Sequence, residues 1–309
     1  MSGKRPCLAW NGGAADGLIW PRPLREGDTI GLFAPAHHFK KDEYRRGCAV
    51  LESWGLKIKA SPGIFRRCRY LAGDDRHRAA QIIELMEDDQ VAGLMAVRGG
   101  YGCQRLLPAL NDQWQRWPAK IILGFSDLTA LHLARFKASG VIGFHGPMTV
   151  SLGKADPGTA ADQQSRADLK SCLFSPGPSG AWFFSQRNIL KSGYASGRLL
   201  GGNLTLVNSL LASPWLPDFR GAILILEDVG ESIYCLDRLL VTIRQSPVWR
   251  LASGLVFGNF SQCGPEAEIR RLLREAAADF DGPVAMGAPF GHVARNRLFP
   301  IGAMASLEL

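Results

Sequence analysis

Long apolar segments are missing from this chain. No stretch of the 309 residues approaches the length of a membrane-spanning helix. The N-terminal segment, MSGKRPCLAWNGGAADGLIW, lacks the continuous apolar core of a signal peptide. Internal repeats and low-complexity tracts are also absent. We therefore expect a globular cytoplasmic protein that does not associate with membranes.

Cysteine pairs are missing as well. The seven cysteines form no C-x-x-C motif and are odd in number, which argues against both a zinc knuckle and a disulfide framework. His37 and His38 are adjacent, and adjacent side chains on an extended segment point in opposite directions, so they are poorly placed to bind one metal ion together. The sequence therefore predicts no metal site and no other cofactor.

Nucleic-acid and phosphate-binding motifs are also lacking. The net charge is +8, but the basic clusters RRCR and RRLLRE are short and belong to no nucleic-acid motif. The segment RGGYG lacks the Lys-[Ser/Thr] of a P-loop and the full dinucleotide fingerprint. We expect the basic clusters to be solvated surface and predict no nucleic-acid partner.

Apolar runs alternate with helical patterns in the first half of the chain. The segments GDTIGLFAPA, VAGLMAVRGG and AKIILGF each end at glycine, proline or a charged residue, as strands buried on both faces do. This alternation predicts a mostly parallel sheet covered by helices. Residues 151–189 are rich in Gly, Pro, Ser and Asp, which predicts a linker between domains at 1–150 and 190–309.

Ser126 lies between one of these strands and the next helix. The segment KIILGF-S-DLTALHLARF leaves no residues for a loop, so Ser126 is predicted to occupy a sharp elbow at the carboxyl edge of the sheet. Such a position suits a nucleophile. A serine before a helix also serves as an N-cap, and the segment alone leaves both roles open.

Two further segments place an acid and a histidine where apolar strands end. Glu227 and Asp228 follow GAILIL, and His292 follows PVAMGAPFG. A serine hydroxyl becomes a useful nucleophile when a histidine takes its proton and a carboxylate orients that histidine. Asp228 and Glu231 compete with Glu227 for the role of the acid, but alternation along the strand predicts that Asp228 faces away from Glu227.

Several segments resemble the LD-carboxypeptidases, the muramoyltetrapeptide carboxypeptidase family of serine peptidases. The resemblance starts near Gly27, continues to the C-terminus and keeps the family's order of motifs. The segments that carry it are YLAGDDRHRAAQIIELMEDD, RGGYGCQRLLP, LGFSDLTALH, FHGPM, GRLLGGNLTLVNSLLAS, ILILEDVGESIYCLDRLL and PFGH.

The resemblance implies a role for five residues. The serine of the family's G-[FY]-S-D motif, its nucleophile, is Ser126 here. The first acid of the E-D-x-x-E segment is Glu227, and the histidine of the P-F-G-H segment is His292. The backbone N–H groups of Gly100 and Asp127 match those that the family uses as an oxyanion hole.

The resemblance also implies a fold, a substrate and an assembly. The expected fold is α/β, with an N-terminal Rossmann-like parallel-sheet domain, a smaller C-terminal β-rich α/β domain and the active site between them. Family members release a terminal D-alanine from cytoplasmic murein tetrapeptides during cell-wall recycling, and related members cleave peptidyl or aminoacyl nucleotides of the microcin C type. A murein peptide is thus the expected substrate, and a homodimer is a further expectation.

Four more residues are candidates for substrate binding. Gly99 and Tyr101 flank the predicted oxyanion glycine. Arg98 ends the preceding strand, where it suits either a substrate carboxylate or a structural ion pair. His145, in FHGPM, also ends a strand; it suits substrate contact or a structural hydrogen bond.

Two segments depart from the family pattern. Ala36 stands where the family commonly has a serine, and Ala212–Ser213 replace a usual Gly-Thr pair. We expect these positions to line the cleft and to influence which substrate is accepted.

Other functions remain open beside the LD-carboxypeptidase. A nucleotide-peptide amidase of the same family would need an aromatic surface on which a base can stack. A non-catalytic peptide-binding protein on the same scaffold is a third alternative. An α/β-hydrolase is disfavoured, because Leu128 occupies the position of the second glycine in G-x-S-x-G.

Overall fold

Two β-sheets with helices packed around them form the protein. The computed structural model describes residues 5–10, 12, 17–154, 159–175 and 180–309. The strands are β1 (Cys7–Trp10), β2 (Thr29–Phe33), β3 (Lys57–Ala60), β4 (Val91–Ala96), β5 (Ile121–Leu123), β6 (Gly143–His145), β7 (Gly180–Phe183), β8 (Ile189–Lys191), β9 (Tyr194–Asn203), β10 (Ile223–Val229), β11 (Gly254–Ser261), β12 (Val284–Ala285), β13 (Phe299–Ile301) and β14 (Met304–Glu308).

Helices follow most of the parallel strands. They are α1 (Lys41–Glu52), α2 (Asp75–Glu87), α3 (Leu107–Leu110), α4 (Thr129–Ser139), α5 (Thr149–Lys154), α6 (Ala160–Phe174), α7 (Leu204–Leu210), α8 (Ile233–Arg244), α9 (Pro247–Leu251) and α10 (Glu266–Ala277). Short 3₁₀ segments span Cys103–Leu106, Ser126–Leu128 and Gln186–Asn188. In the described part of the chain, no helix has the length and apolar character needed to cross a membrane.

The first sheet is parallel except at one edge. Its strand order is β3-β2-β4-β5-β6-β13, and only β13 runs antiparallel to its neighbour. Every residue of β4, β5 and β6 is buried, as expected for apolar strands covered by helices on both faces. The carboxyl ends of β4, β5 and β6 therefore lie at one edge, where RGGYG, Ser126 and His145 follow.

The second sheet is mixed. Its order is β7-β1-β14-β9-β10-β11-β12-β8, with β9 to β12 parallel to one another and antiparallel strands on either side. Most of β10 is buried, and Glu227 lies near its carboxyl end. The predicted α/β class, with a parallel-sheet N-terminal part and a β-rich C-terminal part, is confirmed.

Strand pairing crosses the predicted domain boundaries. β1, near the N-terminus, pairs with β14 in the second sheet, and β13, near the C-terminus, pairs with β6 in the first. The segment expected to be a linker, 151–189, contains α6 and β7. The division at 1–150, 151–189 and 190–309 stays a prediction, but these strands show that each sheet takes one strand from the other end of the chain.

A direct hydrogen bond joins the second sheet to the helix that follows the candidate nucleophile. The Asn203 backbone N–H, at the end of β9, donates to Thr129 Oγ1 at the start of α4, at 3.0 Å. A Cβ atom on Gly202 would lie only 2.5 Å from that oxygen. The end of β9 and the start of α4 therefore approach each other as closely as a glycine allows. This contact brings the carboxyl edges of both sheets together.

Candidate active site

Ser126 occupies the sharp elbow that its sequence position predicts. Its φ angle is +63°, in the left-handed region that side-chain-bearing residues seldom adopt. The serine does not cap the helix: the N-cap positions of the 3₁₀ segment and of α4 are Phe125 and Leu128, and neither carries a side-chain cap. A strained backbone with a free hydroxyl favours the nucleophile over the capping role.

The RGGYG turn packs directly against Ser126. A Cβ atom on Gly99 would lie 3.2 Å from Ser126 Cβ and 3.3 Å from Oγ, so only glycine leaves this space open. Gly100 has a φ of +120°, and a Cβ there would lie 2.6 Å from His37 Cγ. Asp127 lies in the first turn of the 3₁₀ segment, where backbone N–H groups lack intrahelical acceptors. The structure thus brings the two predicted oxyanion residues to the nucleophile.

The Asp127 side chain fastens this turn to the elbow. The Cys103 backbone N–H donates to Asp127 Oδ2 at 2.8 Å, and the carboxylate is fully buried. On the other side of the turn, buried Arg78 donates from Nη1 to the Gly102 carbonyl at 2.9 Å. Together these bonds fix the position of the turn relative to Ser126.

Burial of Asp127 predicts a pH-dependent stability. Burial raises the pKa of Asp127 to about 6 and outweighs the hydrogen bonds from Cys103, which lower this pKa. At pH values between the pKa of Asp127 in the unfolded chain and its pKa in the folded protein, the native state binds more protons than the unfolded state. The stabilisation that Asp127 contributes is therefore lost as the pH rises from about 4 to 6. In Asp127→Asn the contribution is absent. The free energy of unfolding of wild type relative to this variant is therefore expected to fall by about 2 kcal/mol between pH 4 and 7, as measured by urea denaturation. Parallel pH curves for the two proteins would contradict this assignment.

Glu227 and His292 form the second half of the site. His292 Nδ1 lies 2.9 Å from Glu227 Oε2. Because the carboxylate can only accept, Nδ1 carries the proton and Nε2 is left as the basic nitrogen. Glu227 is fully buried, and Asn203 Nδ2 donates to its other oxygen at 3.3 Å. The acid is therefore held on both oxygens.

His292 lies in a loop and not at the end of a strand. The strand predicted to lead to it ends at Ala285, so the expected strand-end position is wrong. The loop is held by other contacts: Ser261 Oγ donates to the His292 carbonyl at 2.8 Å, and the Gly291 N–H donates to Asn296 Oδ1 at 3.1 Å. The His292 ring packs on Phe125, the neighbour of Ser126, with centroids 4.8 Å apart. This ring contact places the imidazole against the side chain that precedes Ser126 in the sequence.

Asp228 does not point away from Glu227 as strand alternation predicts. Asn203 Nδ2 donates to Asp228 Oδ1 at 2.8 Å as well as to Glu227, so one amide reaches both carboxylates. The cause is a register shift between Leu226 and Asp228 in the pairing of β10 with β11. Asp228 also accepts from the Thr205 N–H and hydroxyl, and burial raises its pKa. It supports Asn203, whereas Glu227 binds the histidine.

Asn203 and Thr129 are site residues that the sequence reasoning missed. Asn203 caps α7 through the Leu206 N–H, orients both carboxylates and bonds to Thr129. The segment GGNLTLVNSLL does show an asparagine between a strand and a helix. An N-cap role is enough to explain such an asparagine. Nothing in the segment indicates that its side chain also bonds to Glu227, 24 positions further along the chain.

The protein is similar to known carboxypeptidases along most of its length. Residues 30–146 match the LD-carboxypeptidase N-terminal domain, and residues 196–307 match the LD-carboxypeptidase C-terminal domain. The chain belongs to the LD-carboxypeptidase family. It is 32% identical over 291 residues to the murein tetrapeptide carboxypeptidase of Pseudomonas aeruginosa, covering 90% of this chain and 92% of that protein.

Solved structures of family members share the fold. The crystal structure of muramoyltetrapeptide carboxypeptidase from Oxalobacter formigenes superimposes with a TM-score of 0.76 at 26% identity, over 91% of this chain and 99% of that one. A structure of the microcin C7 self-immunity protein, known from Escherichia coli, gives a TM-score of 0.82 at 25% identity, over 94% of this chain and 98% of that one.

The candidate substrate-binding residues lie in different environments. Arg98 is half-buried and donates from Nη1 to the His38 carbonyl at 3.2 Å, while Tyr101 is exposed beside the oxyanion turn. His145 is fully buried instead, stacked on Phe299 with centroids 4.6 Å apart. Burial holds the pKa of His145 well below its usual range. Of the two roles that the sequence leaves open for His145, substrate contact does not fit this burial, and neither ring nitrogen has a side-chain hydrogen-bond partner among the described residues.

The positions that depart from the family pattern also lie in different environments. Ala36 is fully buried, so the expectation that it lines the cleft is wrong; a serine there would be packed inside. Ala212 is exposed in the turn after α7.

A cavity of about 320 Å³ opens beside the histidine. Phe125, Pro147 and His292 form part of its wall, together with Arg166 and Asn296. Apolar and polar side chains line it together, which is typical of sites that hold small molecules. Its position next to the imidazole makes it available to a substrate of the candidate triad.

Proposed function

We propose that this protein is a serine carboxypeptidase that removes the terminal D-alanine from murein tetrapeptides. The observation that carries the proposal is the 2.9 Å hydrogen bond between Glu227 and His292, with the histidine ring packed on the neighbour of a strained Ser126. The similarity to murein tetrapeptide carboxypeptidases supports the choice of substrate. The proposed reaction belongs to cell-wall recycling and is expected in the cytoplasm.

The proposed mechanism is acyl transfer to water in two steps. His292 Nε2 takes the proton from Ser126 Oγ as that oxygen bonds to the carbonyl carbon of the scissile amide. The N–H groups of Gly100 and Asp127 stabilise the oxyanion, and His292 returns the proton to the amine of D-alanine as the C–N bond breaks. Water, deprotonated by His292, then cleaves the Ser126 ester and releases the tripeptide. Glu227 holds the imidazole in the required tautomer throughout.

Incubation with the tetrapeptide tests the proposed function. Mass spectrometry of L-Ala-γ-D-Glu-meso-diaminopimelate-D-Ala should show loss of one alanine, and chiral chromatography should identify it as D-alanine. The tripeptide serves as the matched control and should stay intact. No release of alanine by the folded protein would contradict the proposal.

A nucleotide-peptide amidase is the second candidate. The similarity to the microcin C7 self-immunity protein and two exposed tyrosines beside the oxyanion turn, Tyr70 and Tyr101, favour it. A peptidyl adenylate analogue added to the same assay distinguishes the two functions. Cleavage of the analogue without release of D-alanine from the tetrapeptide would favour the amidase over the carboxypeptidase.

Gly100→Ala tests the proposed oxyanion hole. The added methyl group would lie 2.6 Å from His37 Cγ at a φ of +120°, so the turn must shift and its N–H must lose alignment. We expect kcat to fall by about 10²- to 10³-fold with a much smaller change in KM. Gly221→Ala is the matched control, because Gly221 also has a positive φ but nothing within 4 Å of the added atom. Equal kinetics for the two variants would contradict the role of Gly100.

A further inference from the structure

A tight turn beside the active site carries an arginine where glycine is favoured. Cys68 and Leu71 exchange two backbone hydrogen bonds of 2.9 Å, which leaves Arg69 and Tyr70 as the two central residues. Arg69 has a φ of +56°. In two-residue turns the position with positive φ is usually taken by glycine, and other residues there cost about 1 kcal/mol or more. A side chain retained at such a cost points to a use for that side chain.

The turn is fixed rigidly to the wall of the active site. The His38 N–H donates to the Tyr70 carbonyl at 3.2 Å, and the Ala72 N–H donates to the Ala36 carbonyl at 2.9 Å. The His37 N–H donates in turn to the Gly99 carbonyl at 3.4 Å. Backbone bonds thus connect the turn to the RGGYG segment.

Ring contacts continue this connection at the surface. His37 lies against Gly100, its ring is 5.2 Å from that of Tyr70, and Tyr70 is 6.3 Å from Tyr101. The Arg69 guanidinium stands 5.7 Å from the centre of the Tyr70 ring. Tyr70 and Tyr101 are 39% and 44% exposed. We call His37, Arg69, Tyr70 and Tyr101 the cationic wall.

No acid among the described residues neutralises the charge of this surface. The neighbouring carboxylate Asp75 is held by Arg105 and Arg78. Within the residues that the structure describes, neither Arg67 nor Arg69 forms an ion pair. A guanidinium oriented over an aromatic ring and free of carboxylates is suited to bind an oxyanion.

We propose that the cationic wall binds an anionic group of the substrate, a carboxylate or a phosphate, at a distance from the bond that is cleaved. The proposal rests on the proposed function, since it assigns a specificity role next to the same nucleophile. Murein peptides carry free carboxylates and nucleotide peptides carry a phosphate, so one chemistry serves both. Arg69 supplies the charge, and Tyr70 holds the guanidinium in place.

Arg69→Gly tests the wall and separates binding from structure. Glycine relieves the strained φ, so the variant should be no less stable than the parent protein. Binding is measured by calorimetry in the Ser126→Ala background, which makes it independent of turnover. The probes are the tetrapeptide L-Ala-γ-D-Glu-meso-diaminopimelate-D-Ala, the same peptide with its carboxyl groups amidated, and AMP.

The expected result is a selective loss of affinity for an anion. Arg69→Gly should raise the Kd of the free tetrapeptide or of AMP by about tenfold, and that of the amidated peptide by less than twofold. The probe that responds identifies the source of the anion. Arg220→Ala, on an exposed arginine that precedes β10 at the opposite edge of the sheet, is the control and should change neither affinity.

Three results would overturn the proposal. The first is an unchanged Kd for both anionic probes in Arg69→Gly, and the second is an equal loss for the amidated peptide. The third is no binding of either anionic probe to the parent protein. Failure of the proposed function gives a separate signal, namely no release of D-alanine by the protein that retains Ser126, and it leaves the binding data interpretable.

Discussion

Replacing Ser126 by alanine is expected to lower kcat by about 10⁴- to 10⁶-fold and to leave the fold intact. The hydroxyl oxygen forms the ester in the proposed mechanism, and alanine carries no group that can take its place. The side chain caps no helix, so its loss removes no structural hydrogen bond of that kind. The thermal midpoint should therefore change by only a few degrees.

Ser185→Ala provides the matched control for this experiment. Ser185 is exposed at the start of a 3₁₀ segment and does not cap it, so the variant should keep full activity. Alanine release is measured by chromatography over long incubations, so that slow rates are seen. Activity of the Ser126→Ala protein within tenfold of wild type would contradict catalysis by Ser126.

Glu227→Gln is expected to lower kcat by about 10⁴-fold with little change in KM. The substitution keeps the size of the side chain and an acceptor for Asn203, but it can place an N–H donor opposite His292 Nδ1. The imidazole then carries its proton on the wrong nitrogen and cannot act as the base. Steady-state kinetics on the tetrapeptide measure the effect.

Asp228→Asn is the sharpest comparison for Glu227→Gln, because the two acids are adjacent and buried. Asp228 contacts Asn203 and Thr205 and makes no hydrogen bond to His292. Its replacement should lower kcat by about tenfold or less. A loss as large as that of Glu227→Gln would mean that the two carboxylates share the role assigned to Glu227.

Residues that carry a side chain in the left-handed region are concentrated around the candidate site. In the described part of the chain they are Arg69, Ser126 and Gln262. Ser126 is the proposed nucleophile, and Arg69 belongs to the cationic wall. Gln262 follows Ser261, whose hydroxyl bonds to the His292 carbonyl. Backbone strain of this kind persists where the surrounding structure holds it in place, and it often marks function.

The strands of the first sheet and the elbow at Ser126 were predictable because their signals are local. Apolar runs that end in glycine or a charge mark buried parallel strands, and β2, β4 and β5 lie within the predicted segments. A serine with no loop residues on either side can only form a sharp turn. The triad residues themselves were assigned through the resemblance to the family, and the structure places Glu227 against His292.

The remaining features depend on contacts that no local pattern encodes. β1 joins the second sheet by pairing with β14, near the other end of the chain, and β13 joins the first sheet by pairing with β6. The register shift at Asp228 arises where β10 meets β11, so strand alternation failed there. His145 ends a strand as predicted, but its burial depends on Phe299, which arrives from the other end of the chain.

Trapping the acyl-enzyme is the most direct test of the central claim that Ser126 is the nucleophile of a carboxypeptidase. The protein is mixed with the tetrapeptide, quenched in acid within milliseconds and analysed by intact-mass and peptide mass spectrometry. We predict an added mass equal to the tripeptide less one water, located on Ser126 and absent from the Ser126→Ala protein. Release of D-alanine with no adduct on Ser126, together with continued release by Ser126→Ala, would contradict the account.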